Sequence, residues 1–124
     1  VFVGGGLGSI VRFLFSKWII TPSTDFPTAT FVTNFLACII LGMLANYLGE
    51  AKQESEKIIA ALFMTGFCGG FSTFSTFISE TDQILKSGNM LLAFGNIILN
   101  IIFCMLALYI GMWLSKHFFN YGII

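Results

Sequence analysis

Three aromatic rings recur at three-residue intervals in the most unusual stretch of this sequence, which reads GFCGGFSTFSTF over residues 66–77. The edge of an aromatic ring carries partial positive charge, so a ring turned edge-on attracts a small anion weakly. Weak, repeated sites suit conduction, because a permeating ion must both enter and leave. The alternative interpretation of Phe71, Phe74 and Phe77 is ordinary packing in a helix core.

Four polar residues interrupt apolar stretches elsewhere. Asn34 brings an amide with two N–H donors into one of them. Asn96, Asn100 and Cys104 recur every four residues, so they share one face of a helix. Each set admits two interpretations: polar contacts that hold helices together, or groups that contact a permeating ion.

Arg12 is the only formal charge well inside an apolar stretch. An Arg at the centre of a bilayer costs about 2.5–3.5 kcal/mol on insertion scales. It either faces an aqueous vestibule and attracts anions, or extends its side chain to one membrane interface.

Cys38, Cys68 and Cys104 lie in three different apolar stretches and form no CxxC pair. Metal or redox chemistry is therefore not expected of them, and we interpret them as small packing residues. The sequence also lacks a recognisable nucleophile and base set or a phosphate loop, which argues against an enzyme.

Four long apolar segments hold these residues. Of the 124 residues, 56% are hydrophobic and 10% charged, whereas soluble domains average about 25% charged residues. A helix of about 20 residues crosses the hydrocarbon core of a bilayer. We predict one all-α membrane domain over residues 1–124, with spans at 1–20, 28–48, 58–79 and 89–115 and loops at 21–27, 49–57 and 80–88. The low helix propensity after Gly66 predicts a break of the third helix in mid-membrane.

The charges balance at six Lys/Arg and six Asp/Glu, which argues against a nucleic-acid partner. Lys52, Lys57 and Lys116 lie on one side of the predicted membrane topology, and Lys17 and Lys86 on the other. Positive residues near span ends set orientation, so this small difference favours insertion in both orientations and permits an antiparallel dimer. The alternative is that residues preceding Val1 carry the deciding charge.

Three segments together resemble the CrcB/Fluc family of fluoride channels in order and spacing: GGGLGSIVRF (4–13), TATFVTNFLACIILG (28–42) and GFCGGFSTFSTF (66–77). The resemblance covers essentially the whole chain. It implies a dual-topology antiparallel dimer in the plasma membrane, in contact with lipid. Its two pores would pass fluoride passively and selectively, which protects the cell from fluoride toxicity.

The resemblance also implies roles for individual residues. Asn34, Phe74 and Phe77 match pore positions, and Ser75 and Thr76 match pore-side hydroxyls. A polar track on the fourth helix corresponds to Asn96, Asn100 and Cys104. Two positions correspond to a vestibule or structural role, Arg12 and Glu80. Backbone carbonyls that hold a structural Na⁺ on the dimer axis, two from each subunit, correspond to Gly69 and Ser72.

Several residues depart from the family pattern, among them Cys38, Ser72 and Asn96, so the details of the pore lining stay open. A heterodimer with a divergent homologue is an alternative to the homodimer. A small proton-coupled multidrug exporter is the alternative from another class, but it needs a carboxylate within a span and the predicted spans contain none. A third alternative is an assembly subunit that transports nothing by itself.

Overall fold

The computed structural model describes residues 1–19, 26–49 and 52–119. Within these residues every regular element is a helix, which confirms the all-α class. Most of the predicted 21–27 loop and the aromatic tail after Phe119 lie outside the described residues. The elements are α1 (Phe2–Trp18), α2 (Thr28–Leu48), α3 (Glu54–Ala60), a π-helical segment (Ala61–Cys68), α4 (Gly69–Phe71), α5 (Phe74–Lys86) and α6 (Met90–Phe119).

Three helical segments among the described residues are long and apolar enough to cross a membrane: Thr28–Leu48, Glu54–Lys86 and Met90–Phe119. The remaining helix, α1, has 17 residues, at the lower end of the range of about 17–25 residues for a membrane crossing. A fourth crossing by α1 therefore stays a prediction.

The glycine cluster near the N-terminus is a helix-packing surface. A Cβ atom added at Gly4 would collide with the carbonyl oxygen of Leu62, and one at Gly8 with that of Phe67. The facing surface also has glycine at the contact, because a Cβ atom added at Gly70 of α4 would collide with the carbonyl oxygen of Gly5. Helix α1 thus lies backbone to backbone on the π-helical segment and α4, the small-residue packing that apolar surroundings favour.

Helices α2 and α6 form a second close pair. A Cβ atom at Gly42 would collide with the carbonyl oxygen of Leu108, and one at Gly111 with that of Ile39. Residue numbers rise along both helices from one contact to the next. The Phe31 and Phe103 rings are 5.8 Å apart, and towards the C-terminal ends Asn46 Nδ2 donates to Ser115 Oγ at 3.4 Å. The two helices therefore run parallel.

The predicted loop at 80–88 is wrong, because α5 continues to Lys86. The polar residues there occupy the outer face of a helix whose Thr81 and Ile84 are buried. An ion pair of 2.6 Å joins Lys86 to Asp82 one turn earlier, a spacing that supports helix. The chain leaves the helix at Gly88, whose φ of 88° suits glycine.

Two other helices are also longer than predicted and extend past their predicted ends. Helix α3 begins at Glu54, inside the predicted 49–57 loop, because Gln53 and Glu56 form a capping box there. Helix α6 reaches Phe119 instead of ending at Ser115. The charged and polar segments that predict loops are the exposed ends of long helices.

We predict that Gly42→Ala lowers the stability of the folded protein by about 1–3 kcal/mol, the usual cost of an added methyl group without space. The new Cβ would force α2 away from the Leu108 carbonyl. The measurement is the midpoint of thermal unfolding of the purified protein in detergent.

Gly95→Ala on α6 is the matched control, because a Cβ atom there meets nothing within 4 Å. It should leave the midpoint unchanged or raise it, since Ala has the higher helix propensity. Equal midpoints for Gly42→Ala and the unmodified chain would contradict the close approach of α2 and α6.

Candidate functional site

The backbone leaves the helical path at Ser72 and Thr73. Ser72 has ψ of 160°, and Thr73 has φ of −151° and ψ of 114°. Hydroxyl side chains stabilise both ends of this break by bonding nearby backbone. Ser72 Oγ donates to the Cys68 carbonyl at 2.9 Å, and Thr73 Oγ1 accepts from the Thr76 N–H at 3.2 Å, which caps α5.

Asn34 on α2 satisfies the backbone of the extended residue. The Thr73 N–H donates to Asn34 Oδ1 at 2.8 Å, and Asn34 Nδ2 donates to the Thr73 carbonyl at 3.2 Å. An amide has a second N–H, and among the described residues that hydrogen has no partner. The two interpretations of Asn34 are therefore compatible, because one side chain holds two helices together and still has a donor to offer.

An open groove of about 260 Å³ lies beside this break. Its wall comes from α2, the break, α5 and α6. Five residues that the family resemblance assigns to the pore meet there: Asn34, Phe74, Phe77, Asn100 and Cys104. The remaining lining residues are Cys38, Ser72, Thr73 and Ile101.

The lining of this groove is uncharged. Phe77 is buried, whereas Phe74 is 75% exposed, and their ring centroids are 5.7 Å apart at 44°. Amide and hydroxyl groups at the break supply the polar contacts. None of the nine lining residues is cationic, so an anion in this groove meets amide, hydroxyl and aromatic groups without a tightly binding partner.

A second groove of about 250 Å³ shares Thr73 with the first and is lined by Arg12 and Glu80. Arg12 Nη1 donates to the Ser72 carbonyl at 3.2 Å, and Thr30 Oγ1 donates to Glu80 Oε1 at 2.9 Å. Thr76 lines this second groove instead of the first. Ser75 is exposed and lines neither.

Glu80 differs from its sequence-based placement. It lies within α5, where its Oε2 atom is buried and has no hydrogen-bond partner in the described part of the chain. The predicted third span ends at residue 79, whereas the helix continues to Lys86, so Glu80 is helical and not in a loop; the apolar run at 58–79 still contains no carboxylate.

A buried polar ladder connects α5 to α6. Thr81 Oγ1 donates to the Phe77 carbonyl at 2.7 Å and accepts from Asn96 Nδ2 at 2.9 Å. Asn100 Nδ2 then donates to the Asn96 carbonyl and to Asn96 Oδ1, at 2.9 Å and 2.8 Å. Asn96 is fully buried and lies outside the groove. Asn96 therefore does not line the groove itself but bonds Asn100, which does.

Sequence reasoning missed Thr30 and Cys38, which lie one turn before and one turn after Asn34. The four-residue spacing that singled out the polar stripe on α6 is present here too. Thr81 was missed for another reason. It falls in the segment interpreted as a loop, and only the packing of α5 on α6 gives it a partner.

The carbonyls proposed for Na⁺ are of the right donor type, since oxygen ligands suit a hard cation. The Thr73 N–H that would bond Gly69 in a continuous helix donates to Asn34 instead, which releases the Gly69 carbonyl. The Ser72 carbonyl accepts from Arg12 and keeps a second lone pair. Side chains contribute little here, because the described residues contain no group of three or more His, Cys, Asp or Glu residues.

Comparison with known proteins gives a consistent result. Residues 1–112 match the family model described as CrcB-like protein, Camphor Resistance (CrcB). A protein of Flavobacterium psychrophilum named fluoride-specific ion channel FluC is 37% identical, and the match covers 92% of each chain. FluC of Pyrococcus abyssi is 39% identical over 92% of this chain and 91% of its own.

We predict that Asn96→Leu lowers stability by about 1–3 kcal/mol, because Thr81 Oγ1 loses its buried donor and Asn100 Nδ2 loses the Asn96 Oδ1 acceptor. The measurement is again thermal unfolding in detergent. Asn46→Leu is the matched control on α2, since Asn46 is exposed and makes one long bond of 3.4 Å. A loss in the control as large as in Asn96→Leu would contradict a special role for the ladder.

Proposed function

This chain belongs to the CrcB family of fluoride channels, and from that membership we propose that it conducts fluoride passively and selectively out of the cell. It is a multi-pass membrane protein and a channel, not an enzyme. The observation that carries the proposal is the meeting of Asn34, Phe74 and Phe77 in one uncharged groove. Passive efflux through it would protect the cell from fluoride toxicity.

The chemistry of the groove suits a small, strongly hydrated anion. Fluoride needs donors to replace water, and the second N–H of Asn34 is one such donor beside the ring edges of Phe74 and Phe77. Asn100 and Cys104 extend the polar wall along α6. Arg12, whose Nη1 lies 3.2 Å from the Ser72 carbonyl, attracts anions although it does not line the groove. The charge of Arg12 favours the entry of an anion, and the weak contacts inside the groove allow the anion to leave again.

We propose that the working unit is an antiparallel dimer of this four-helix chain, with the break of the third span inside the membrane. Supporting this, the groove of one chain is open on the side of Phe74, which is 75% exposed. Large apolar side chains are also exposed along α6, where lipid or a second copy would cover them. The near-even distribution of Lys and Arg supports insertion in both orientations. A divergent homologue is the alternative partner.

We further propose that the Gly69 and Ser72 carbonyls of two chains hold a structural Na⁺ at the dimer axis. Gly69 is exposed and a Cβ atom there would meet nothing within 4 Å, so a second chain has access to its backbone. Four carbonyl oxygens, two from each copy, would give the ion a set of hard ligands.

We predict that the purified protein in liposomes releases fluoride rapidly and chloride hardly at all. Asn34→Ala and Phe74→Ala should each lower fluoride efflux by roughly tenfold or more, since one lost hydrogen bond or ring contact is worth about 1.4 kcal/mol. A fluoride electrode measures the efflux, and size-exclusion chromatography confirms that equal amounts of folded protein are compared.

Asn46→Ala and Phe118→Ala are the matched controls, because both residues lie outside the two grooves. They should leave efflux unchanged. Efflux that appears only after a second homologue is added would replace the homodimer with a heterodimer. No efflux in either case would refute the channel function and favour an assembly subunit.

We predict that both orientations occur in cells. Ser55→Cys places a thiol on the exposed surface of α3 without altering the charge balance. A membrane-impermeant maleimide should label about half of this variant in intact cells, and all of it after permeabilisation. The unmodified chain gives the background of its native cysteines. Labelling of all or none in intact cells would contradict dual topology.

A further inference from the structure

Thr73 lies where the two grooves of this chain meet. It is the one residue, among those that the structure describes, that lines both of them. Its side chain is 8% exposed, so it is a buried residue between two open spaces. The two grooves are therefore neighbours at the break of the third span.

Consecutive residues on two helices continue the wall between the grooves. On α2, Thr33 lines the second groove and Asn34 lines the first. On α5, Thr76 lines the second groove and Phe77 lines the first. The grooves thus adjoin each other along a wall that consists of Thr73 and these two residue pairs.

Three backbone N–H groups at the wall are already engaged. The Ser72 N–H donates to the Cys68 carbonyl at 2.9 Å, and the Thr73 N–H donates to Asn34 Oδ1 at 2.8 Å. The Thr76 N–H donates to Thr73 Oγ1 at 3.2 Å. Fluoride accepts hydrogen bonds and has none to donate. The donors that Thr73 and Thr76 can still offer to fluoride are therefore their hydroxyl groups.

These two hydroxyl groups are bonded to each other. Thr73 Oγ1 donates to Thr76 Oγ1 at 2.9 Å, and Ser75 Oγ lies 3.5 Å from Thr73 Oγ1. A hydroxyl has one donor and two acceptor positions. The hydrogen of the Thr76 hydroxyl has no acceptor among the described residues. It can therefore donate to an anion in the second groove, which Thr76 lines.

The bond between the two hydroxyls can also run the other way, because a hydroxyl hydrogen rotates to suit its surroundings. If the Thr76 hydroxyl donates to Thr73 Oγ1, this oxygen accepts from the Thr76 hydroxyl and from the Thr76 N–H. Both of its acceptor positions are then filled. The Thr73 hydroxyl hydrogen is released and can donate to an anion in the first groove, which Thr73 also lines.

We propose that the hydroxyl pair of Thr73 and Thr76 transfers fluoride between the two grooves, which are successive parts of one pathway. This inference rests on the proposed fluoride conduction. For an ion in the second groove the donors run from Thr73 through Thr76 to the ion, and for an ion in the first groove they run from Thr76 through Thr73. We call this pair the hydroxyl relay. No covalent bond breaks, because each hydrogen stays on its own oxygen.

The hydroxyl relay compensates for a difference in charge between the grooves. Arg12 lines the second groove and attracts an anion there, whereas the lining of the first groove is uncharged. Fluoride that moves into the first groove therefore loses electrostatic stabilisation. Hydrogen bonds in a chain polarise one another, so a hydroxyl that itself accepts a bond is a stronger donor. In either direction the hydroxyl that faces the ion is supported by the other.

Four variants separate the hydroxyl relay from the stability of the fold. Thr73→Val removes one hydroxyl and also the cap of α5, since Thr73 Oγ1 accepts from the Thr76 N–H. Thr76→Val removes the other hydroxyl and leaves this cap in place. Thr73→Ser keeps both the hydroxyl and the cap. The matched control is Thr65→Val, because Thr65 is exposed on the π-helical segment and lines neither groove.

Fluoride efflux from liposomes, measured with a fluoride electrode, tests the hydroxyl relay. Thr76→Val and Thr73→Val should each lower the rate by roughly tenfold or more, because a passing ion loses one hydrogen bond. Thr73→Ser and Thr65→Val should leave the rate nearly unchanged. Equal rates for Thr76→Val and the unmodified protein would overturn the proposal.

The double variant Thr73→Val/Thr76→Val distinguishes a relay from two separate contacts. Residues that act as one unit have non-additive effects, so the double variant should be no slower than the slower single variant. Two independent contacts would instead multiply the two losses, and that result would refute the relay even if both single variants were slow.

Thermal unfolding in detergent tests whether the effect is only structural. The midpoint of Thr76→Val should equal that of Thr65→Val, because the cap of α5 remains. A lowered midpoint together with slow efflux would assign the Thr76 hydroxyl to the fold and overturn the relay. If the unmodified protein releases no fluoride, conduction itself is refuted. If it conducts and Thr76→Val conducts equally well, the relay alone is refuted and the channel stands.

Discussion

The pairing of Asn34 with the backbone of Thr73 is the interaction on which the rest of this structure depends. A membrane offers no hydrogen-bond partner to a peptide group that leaves its helix, so an extended residue is tolerated only where protein supplies both bonds. Asn34 supplies them from a neighbouring helix, at 2.8 Å and 3.2 Å. Without this side chain, the N–H and the carbonyl of Thr73 would have no partner in the break of the helix. Each unpaired buried group would cost about 1–3 kcal/mol.

The same pairing determines where the polar groups of the site lie. The Asn34 amide uses one N–H to bond the Thr73 carbonyl. Its second N–H stays available on a side chain that lines the groove. The break also turns α5 so that Phe77 is buried and Phe74 exposed. One residue can therefore support the break and still offer a donor to the groove, so the two interpretations of Asn34 are compatible.

Close backbone approaches make this arrangement possible with few residues. Glycines bring α1 onto the π-helical segment and α2 onto α6, so that short polar side chains reach across the interfaces. The buried ladder from Thr81 through Asn96 to Asn100 likewise depends on the close packing of α5 on α6. Arg12 and Glu80 line a second groove and are absent from the lining of the first.

The sequence by itself determined the all-α class and the apolar segments. Shortage of charge and hydrophobic length are local properties, and four-residue spacing marked the polar stripe on α6, but only the family resemblance assigned Asn34, Phe74 and Phe77 to a pore. Only the tertiary structure decided which groove each polar residue lines and that Glu80 lies within a helix. These outcomes depend on how closely two helices approach and on their relative rotation. Both are determined by distant backbone contacts, such as Gly42 against Leu108, that no periodicity along the chain records.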